Sequence, residues 1–467
     1  MKKVTLRIVT AASLFDGHDA AINIMRRILQ SKGVEIIHLG HNRGVQEIVE
    51  CAIEEDAHAI AITSYQGGHL EFFKYMKDLL NEAGCGHIKI FGGGGGTILP
   101  QEIEELEGYG IDRIYSPDDG RKLGLEGMIE DLIRHAGSDA ALNAYARAPD
   151  HWKGASPLQE AKDIRFIARA ITQVESGNNN PVKIPGQKQD TTIPVLGITG
   201  TGGAGKSSVT DELVRRFLNH YPDKTIAVVS VDPSRKKTGG ALLGDRIRMN
   251  AIAHPRAYMR SMATRDDHVA LSGAIQKAID VCKDAAFDLI VLESAGVGQS
   301  DASIIDHVDA SMYVMTPEYG AASQLEKINM LDYADIICIN KFDKAGALDA
   351  LMEVRKQYKR NHQLWQEPDE ALPVIGTIAA KFNDRGVNEL FLKVIRVLNA
   401  KCAAGFEESI SFQGAAPTEQ AIIPGKRVRY LSDISESIRQ YNQWVDERAA
   451  IATKLYQLDG VIKNFNL

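Results

Sequence analysis

The stretch Ile193-Pro-Val-Leu-Gly-Ile-Thr-Gly200-Thr-Gly-Gly-Ala-Gly-Lys206-Ser207-Ser-Val-Thr-Asp-Glu-Leu-Val-Arg-Arg-Phe217 decides how the second half of this 467-residue chain folds. An apolar run, Ile193 to Ile198, breaks into glycines and resumes with helical periodicity from Val209 to Phe217, which predicts strand, loop and helix in succession. The G-x-x-x-x-G-K-S spacing lets the backbone N–H groups of Gly200, Gly202, Gly203, Ala204 and Gly205 curl around a phosphate. Lys206 then reaches the β/γ oxygens, Ser207 is placed to ligate Mg²⁺, and Ser208 follows on the same helix turn. A nucleoside triphosphate is the expected ligand.

Working outward, further strands are predicted at Thr225–Val231, Leu289–Leu292, Ala310–Val314, Ile336–Ile339 and Val374–Gly376, an α/β block over residues 191–404. Asn340-Lys341-Phe-Asp343 directly follows one of them and fits N-K-x-D, in which Asp343 accepts both guanine N1–H and the exocyclic amine. Adenine offers neither donor pattern, so the base is expected to be guanine. Thr377-Ile-Ala-Ala380 occupies the place where a backbone N–H would meet the guanine carbonyl.

Mg²⁺ needs hard oxygen ligands at strand ends facing the phosphate loop. Asp232 and Glu293 stand at such ends; Glu293-Ser-Ala-Gly296 is one methylene longer than the D-x-x-G of many GTPases. Gly296-Val-Gly-Gln299-Ser300 reads as a switch in which Gln299 orients water, with an exposed polar loop as the competing reading. Between these strands, Thr238-Gly-Gly-Ala-Leu-Leu-Gly-Asp245-Arg-Ile-Arg248-Met lies where a first switch is expected. There Asp245 would add a metal contact and Arg248 a phosphate contact; a solvated loop is the alternative.

The first 137 residues alternate differently. β-branched runs at Val4–Thr10, Glu35–Leu39, Ala59–Thr63, Ile88–Phe91 and Arg113–Tyr115 are separated by helical patterns, predicting five βα units and a doubly wound, flavodoxin-like (Rossmann-type) sheet. Ligands of such sheets bind at the carboxyl ends of the strands. Asp16-Gly-His18 falls in the first such loop, Ser64-Tyr-Gln-Gly-Gly-His69 in the third, and Gly92, Gly93 and their three glycine successors in the fourth. An aspartate two residues from a histidine can hold one ring nitrogen and orient the other toward a metal; a helix-capping aspartate beside an exposed histidine is the bland alternative. His38, His41, His58 and His87 read as surface or loop residues, and Arg235-Lys-Lys237 as a solvated charge run.

Residues 138–190 read as a helical linker, Ala-rich over Asp139 to Val174 and then punctuated by Asn, Pro and Gly. Residues 405–467 form a second linker ending in an amphipathic pattern, Asp433 to Leu458. The net charge of −7 and pI near 6.0 argue against a nucleic-acid partner and against an anionic membrane surface. Five cysteines without C-x-x-C spacing suggest neither a disulfide framework nor a zinc site, and fit the reducing cytoplasm. The apolar stretch after Met1-Lys-Lys3 is interrupted by Arg7 and ended by Asp16, so it reads as a strand rather than a signal peptide.

Two resemblances now become specific. Val231-Asp-Pro-Ser, the segment from Thr238 to Met249 and Glu293-Ser-Ala-Gly-Val-Gly-Gln-Ser resemble the metallochaperone GTPases that serve methylmalonyl-CoA mutase. That resemblance implies magnesium held by Ser207, Asp232, Asp245 and Glu293, and hydrolysis that gates cofactor delivery. The first block resembles cobalamin-binding domains of the base-off, His-on class, which carry D-x-H-x-x-G, S-x-L and G-G motifs in this order; Ala21 replaces the first motif's Gly and Gln66 the second's Leu. It implies His18 as the lower cobalt ligand, Asp16 as its partner, and Ser64, Gly92 and Gly93 against the displaced nucleotide tail.

Together the two blocks are similar to the N-terminal half of the fused isobutyryl-CoA mutase family. This implies adenosylcobalamin, Mg²⁺ and GTP, a homodimer, and an acyl-CoA-binding (β/α)₈ barrel of about 250 further residues, on a longer chain or a separate one. A free-standing GTPase chaperone and a GTP-switched cobalamin sensor are the rival readings.

Overall fold

Apolar runs bounded by glycine and polar turns build two parallel sheets. The computed structural model describes residues 5–152, 162–178, 181–184, 193–234, 238–264, 268–294, 303–319, 325–326, 328–409, 412 and 430–465. In the first block β1 (Arg7–Ser13), β2 (Glu35–Arg43), β3 (Ala59–Thr63), β4 (Lys89–Gly93) and β5 (Arg113–Tyr115) alternate with α1 (Asp19–Ser31), α2 (Val45–Glu54), α3 (His69–Glu82), α4 (Pro100–Tyr109) and α5 (Pro117–Ala136). The five expected βα units are present, and their spatial order β5-β4-β3-β1-β2 is that of a flavodoxin-like sheet. β4 runs two residues further than expected, so Gly92 and Gly93 end the strand instead of opening the loop.

Two helices follow, α6 (Asp139–Arg147) and α7 (Ile164–Glu175). α7 does more than link: Ile164, Ile167, Ala170 and Ile171 pack into the core of the second sheet. That sheet contains β6 (Val195–Gly200) and β7 (Ile226–Pro233), joined by α8 (Lys206–His220). After β8 (Ala241–Leu243) and β9 (Ala257–Thr264) come α9 (His268–Asp284), β10 (Leu289–Glu293), β11 (Ala310–Met315), α10 (Met330–Tyr333), β12 (Ile336–Asn340), α11 (Ala347–His362), β13 (Val374–Thr377) and α12 (Arg385–Cys402). Seven strands run parallel in the order β13-β12-β11-β6-β10-β7-β9. The phosphate-loop strand β6 is thus central, with carboxylate-bearing β10 beside it and β7 next.

Two strands depart from the expectation. β9 is invisible to an apolar pattern because Arg260 lies in its middle, yet that side chain is fully buried. β8, expected as part of a switch loop, belongs to the first sheet: it pairs parallel with β2, Glu35 opposite Ala241 and Ile37 opposite Leu243, as the sixth strand, and meets the second block through an isolated bridge from Ala241 to Ser234, the residue after β7. Gly240 makes this crossing feasible, since a Cβ there would lie 2.0 Å from the Gln30 carbonyl oxygen.

The two sheets belong to one compact unit, residues 1–410, and buried charges join them. Arg7 meets Glu35 at 2.9 Å, Glu55 at 3.0 Å and Glu175 at 3.3 Å, while Arg260 donates to the Glu55 carbonyl at 2.7 Å and pairs with Glu175 at 2.5 Å. His38 and His58, expected as surface or loop residues, are both buried, His38 within β2 and His58 in the bend before β3. Each has a partner: His38 Nδ1 lies 3.0 Å from Thr10 Oγ1, and His58 Nδ1 accepts the Arg7 backbone N–H at 3.2 Å. A second unit, residues 411–467, contains α13 (Tyr430–Phe465), covering the predicted amphipathic stretch. Among the described residues no helix is long and apolar enough to cross a membrane.

Candidate functional site

The phosphate loop has the conformation its glycines allow. Gly200, Gly203 and Gly205 all have positive φ, and a Cβ on Gly200 would stand 1.9 Å from the Val314 carbonyl oxygen. Gly202 and Ala204 complete the loop, and Lys206, Ser207 and Ser208 form the first turn of α8, so free N–H groups and the helix dipole face the loop interior. Lys206 Nζ folds back onto the carbonyl oxygens of Gly200 and Thr201 at 3.2 and 3.5 Å, and its burial lowers the ammonium pKa.

Asn340, at the end of β12, braces this loop. Its Nδ2 donates to the Ala204 carbonyl at 2.8 Å, and its Oδ1 accepts the Ala379 N–H at 3.1 Å. Lys341, at positive φ, donates to the Gly203 carbonyl at 2.8 Å. Asp343 and Ala380 are exposed in the turns after β12 and β13, strands that pair with each other. The structure therefore brings the two segments expected to read the base and the phosphate loop to one edge of the sheet.

Carboxylates converge on Ser207. Its hydroxyl lies 2.8 Å from Glu293 Oε1 and 3.2 Å from Asp245 Oδ1; Thr210 Oγ1 holds the other Glu293 oxygen at 2.9 Å, and Ser230 Oγ the other Asp245 oxygen at 2.7 Å. Asp232 accepts the Gly244 N–H at 3.2 Å. Burial, and then repulsion from Asp245, pushes Asp232 and Glu293 each up to about 7. One serine proton cannot serve two carboxylates, and a divalent cation fits such an oxygen-rich, anionic pocket. Arg248 is exposed at the end of the 3-10 turn Arg246–Arg248, close enough to act electrostatically on Asp232 and Lys206. Gln299, with the rest of the segment 295–300, lies outside the described residues, as does Arg235-Lys-Lys237.

The second constellation sits at the carboxyl edge of the first sheet. Asp16, buried, accepts the His18 ring Nδ1–H at 2.8 Å and the His18 backbone N–H at 2.9 Å through Oδ1, and the Tyr65 N–H at 2.8 Å through Oδ2. Burial pulls the Asp16 pKa upward, but these N–H donors outweigh it and hold the carboxyl below its ordinary value. The His18 side chain is 64% exposed, so its Nε2 edge stands open to a ligand.

Ser64, buried, accepts from Ser13 Oγ at 2.9 Å and donates its N–H to the Gly93 carbonyl at 2.8 Å. Gly94 is held against it: a Cβ there would lie 1.9 Å from the Ser64 carbonyl oxygen. Gly92 has a packing reason as well, since a Cβ would meet Phe73 Cζ at 2.5 Å. Beside these residues an apolar cavity of about 50 Å³ opens, lined by Thr10, Ile22, Met25, Gly92, Gly93 and Leu132 among others. An open imidazole, a glycine-walled edge and an apolar slot suit the coordinating metal and displaced tail of a cobalamin. His69, in the same loop, is instead occupied by Glu102 at 3.0 Å.

Known proteins match both blocks of the chain. Residues 167–419 match the family of the methylmalonyl-CoA mutase-associated GTPase MeaB, and residues 6–120 match the B12 binding domain. The chain belongs to the MeaB GTPase family and carries a cobalamin-binding domain ahead of the GTPase. It is similar to the fused isobutyryl-CoA mutase of Geobacillus kaustophilus, 51% identical over 98% of this chain and 42% of that one. The fused isobutyryl-CoA mutase of Cupriavidus metallidurans is 52% identical over 97% of this chain and 41% of its own. GTPase ArgK of Escherichia coli is 32% identical over 51% of this chain and 73% of its own. The chain thus spans about two fifths of the length of the fused mutases it matches.

Proposed function

We propose that this chain is the GTP-hydrolysing, adenosylcobalamin-binding portion of an acyl-CoA mutase that interconverts isobutyryl-CoA and n-butyryl-CoA, its GTPase gating cofactor loading. The observation that carries the reading is the open His18 imidazole, held by Asp16, in the same compact unit as a magnesium-type phosphate loop. His18 would ligate the cobalt of the cofactor, Asp16 would fix its tautomer and raise its basicity, and Ser64, Gly92 and Gly93 would contact the cofactor's nucleotide tail. Bound adenosylcobalamin supplies the radical chemistry of the rearrangement. The protein orients it and excludes solvent around it.

At the other site Lys206 and the loop N–H groups neutralise the β/γ-phosphates. Ser207, Asp232, Asp245 and Glu293 would hold Mg²⁺ directly or through water. Arg248 is placed to offset charge that develops on the phosphate, Gln299 would orient the attacking water, and Asp343 would select guanine. The acyl-CoA would be held by a substrate barrel outside these residues.

Electron paramagnetic resonance of the cofactor bound as cob(II)alamin tests the first half: nitrogen coupling to cobalt that changes on ¹⁵N-histidine labelling of the protein is expected, and is lost in His18→Ala. Nitrogen coupling that ignores the protein label, with folded, unaltered protein, would remove the His18 ligation. Phosphate release from GTP and ATP tests the second half, and equal use of the two nucleotides would contradict the base assignment.

A further inference from the structure

Asp245 and Arg246 are neighbours in sequence but face different domains. Asp245 is turned toward the phosphate loop, bonded to Ser207 and Ser230 at 3.2 and 2.7 Å. Arg246, buried, turns toward the cobalamin-binding domain, where Nη2 lies 2.6 Å from Glu54 Oε2 at the end of α2 and Nε lies 3.5 Å from Glu55 Oε1. The same Nη2 also donates to the Met259 carbonyl of β9 at 2.7 Å. On either side the chain is pinned to the first domain again. Ala241 to Leu243 pair with β2, and Ile247 abuts Gly40, where a Cβ would lie 2.7 Å from Ile247 Cδ1.

We infer that Arg246 is a positioning residue for the GTPase metal site, seated by the Glu54 carboxylate of the cobalamin-binding domain, so that the first domain completes the second domain's magnesium pocket. The inference rests on the reading of Asp245 as a metal ligand. Consecutive Cα atoms are about 3.8 Å apart, so fixing Arg246 by a paired, buried guanidinium leaves the Asp245 backbone little room to move. The Asp245 carboxylate itself is held by two hydroxyls, Ser207 and Ser230, and the Ser207 hydroxyl is shared with Glu293. An outer partner that orients a metal ligand commonly matters about 10- to 100-fold in metal affinity.

The test uses the full chain loaded with a non-hydrolysable GTP analogue and titrated with Mn²⁺, free ion being followed by electron paramagnetic resonance. Arg246→Lys and Glu54→Gln are each expected to weaken Mn²⁺ binding about 10- to 100-fold. Nucleotide affinity measured in chelator is expected to stay at the unaltered value, and the double variant should be no worse than either single one. Unaltered Mn²⁺ affinity in both variants, with Asp245→Asn weakened, would overturn the positioning role alone. An unaltered Mn²⁺ affinity in Asp245→Asn would instead sink the metal-ligand reading beneath it. Parallel loss of metal-free nucleotide binding would assign Arg246 to general stability and overturn the inference.

Discussion

The Ser207 hydroxyl donates to Glu293 Oε1 at 2.8 Å, linking the first turn of the phosphate-loop helix to the end of the adjacent strand. Glu293 takes the place of the aspartate in D-x-x-G, and the extra methylene is absorbed by a second bond, from Thr210 at 2.9 Å. Glu293→Gln keeps both hydroxyl contacts but removes the charge. GTP hydrolysis is expected to fall about 10- to 100-fold with a raised Mg²⁺ requirement, measured as phosphate release against magnesium concentration.

Lys206 is buried against loop carbonyls that a triphosphate would replace. Lys206→Ala is expected to abolish turnover. Asp343→Asn should leave turnover measurable while cutting the preference for GTP over GDP-competing xanthine nucleotides and ATP by about 10- to 100-fold, the worth of a charged hydrogen bond. Competition binding with labelled GDP separates these effects, and an undiminished guanine preference in Asp343→Asn would count against its role.

Asp16 holds both the His18 ring and the Tyr65 backbone, so its loss should act through orientation. Asp16→Ala is expected to weaken adenosylcobalamin binding about 10- to 100-fold, while histidine-nitrogen coupling to cobalt survives in cob(II)alamin bound at saturation. His18→Ala should lose that coupling itself. Identical coupling and affinities for the two variants would deny the two residues separate roles.

Burial lowers His38 and His58 to about 4, from an ordinary value of 6.5. Above 6.5 neither the folded nor the unfolded chain is protonated there, so the groups contribute nothing. As pH falls from 6.5 to 4 the unfolded chain binds protons that the folded chain refuses, and stability is lost across that window. The loss should be about 2 kcal/mol for each imidazole near pH 5. Urea unfolding near pH 7 and near pH 5 would show it, with a smaller drop in His58→Gln.

Arg7 meets three carboxylates in the buried contact between the two sheets. Arg7→Ala would leave Glu35, Glu55 and Glu175 with less compensation and is expected to cost about 3–5 kcal/mol. Replacement by methionine, which keeps the volume, leaves the same carboxylates short of a cation and should not restore stability. Chemical denaturation of the three proteins side by side checks this.

Much of the nucleotide site was legible because its residues are local. A strand, six glycine-rich positions and a helix start lie within one short stretch, and backbone geometry there follows from glycine φ freedom. Asn340 and Asp343 were found the same way, by a motif directly after an apolar strand. Asp16 and His18 were legible as a pair two residues apart at a strand end. Sequence reasoning missed Ser230 and Thr210, which hold the second oxygens of Asp245 and Glu293, because single hydroxyls carry no periodic signal. It also missed β9, whose central arginine reads as a solvent residue until Glu55, Thr172 and Glu175 are brought around it.

What the sequence by itself determined is therefore the local chemistry: two parallel α/β blocks, a guanine-type phosphate loop in one and a histidine poised at the sheet edge in the other. Only the tertiary structure decided how the blocks depend on each other. β8 belongs by sequence to the GTPase and by hydrogen bonds to the cobalamin-binding sheet, and Arg246 reaches Glu54 across nearly two hundred residues. The reason is physical. A three-residue strand and a buried ion pair draw their stability from partners distant in sequence, so neither leaves a pattern in the residues nearby.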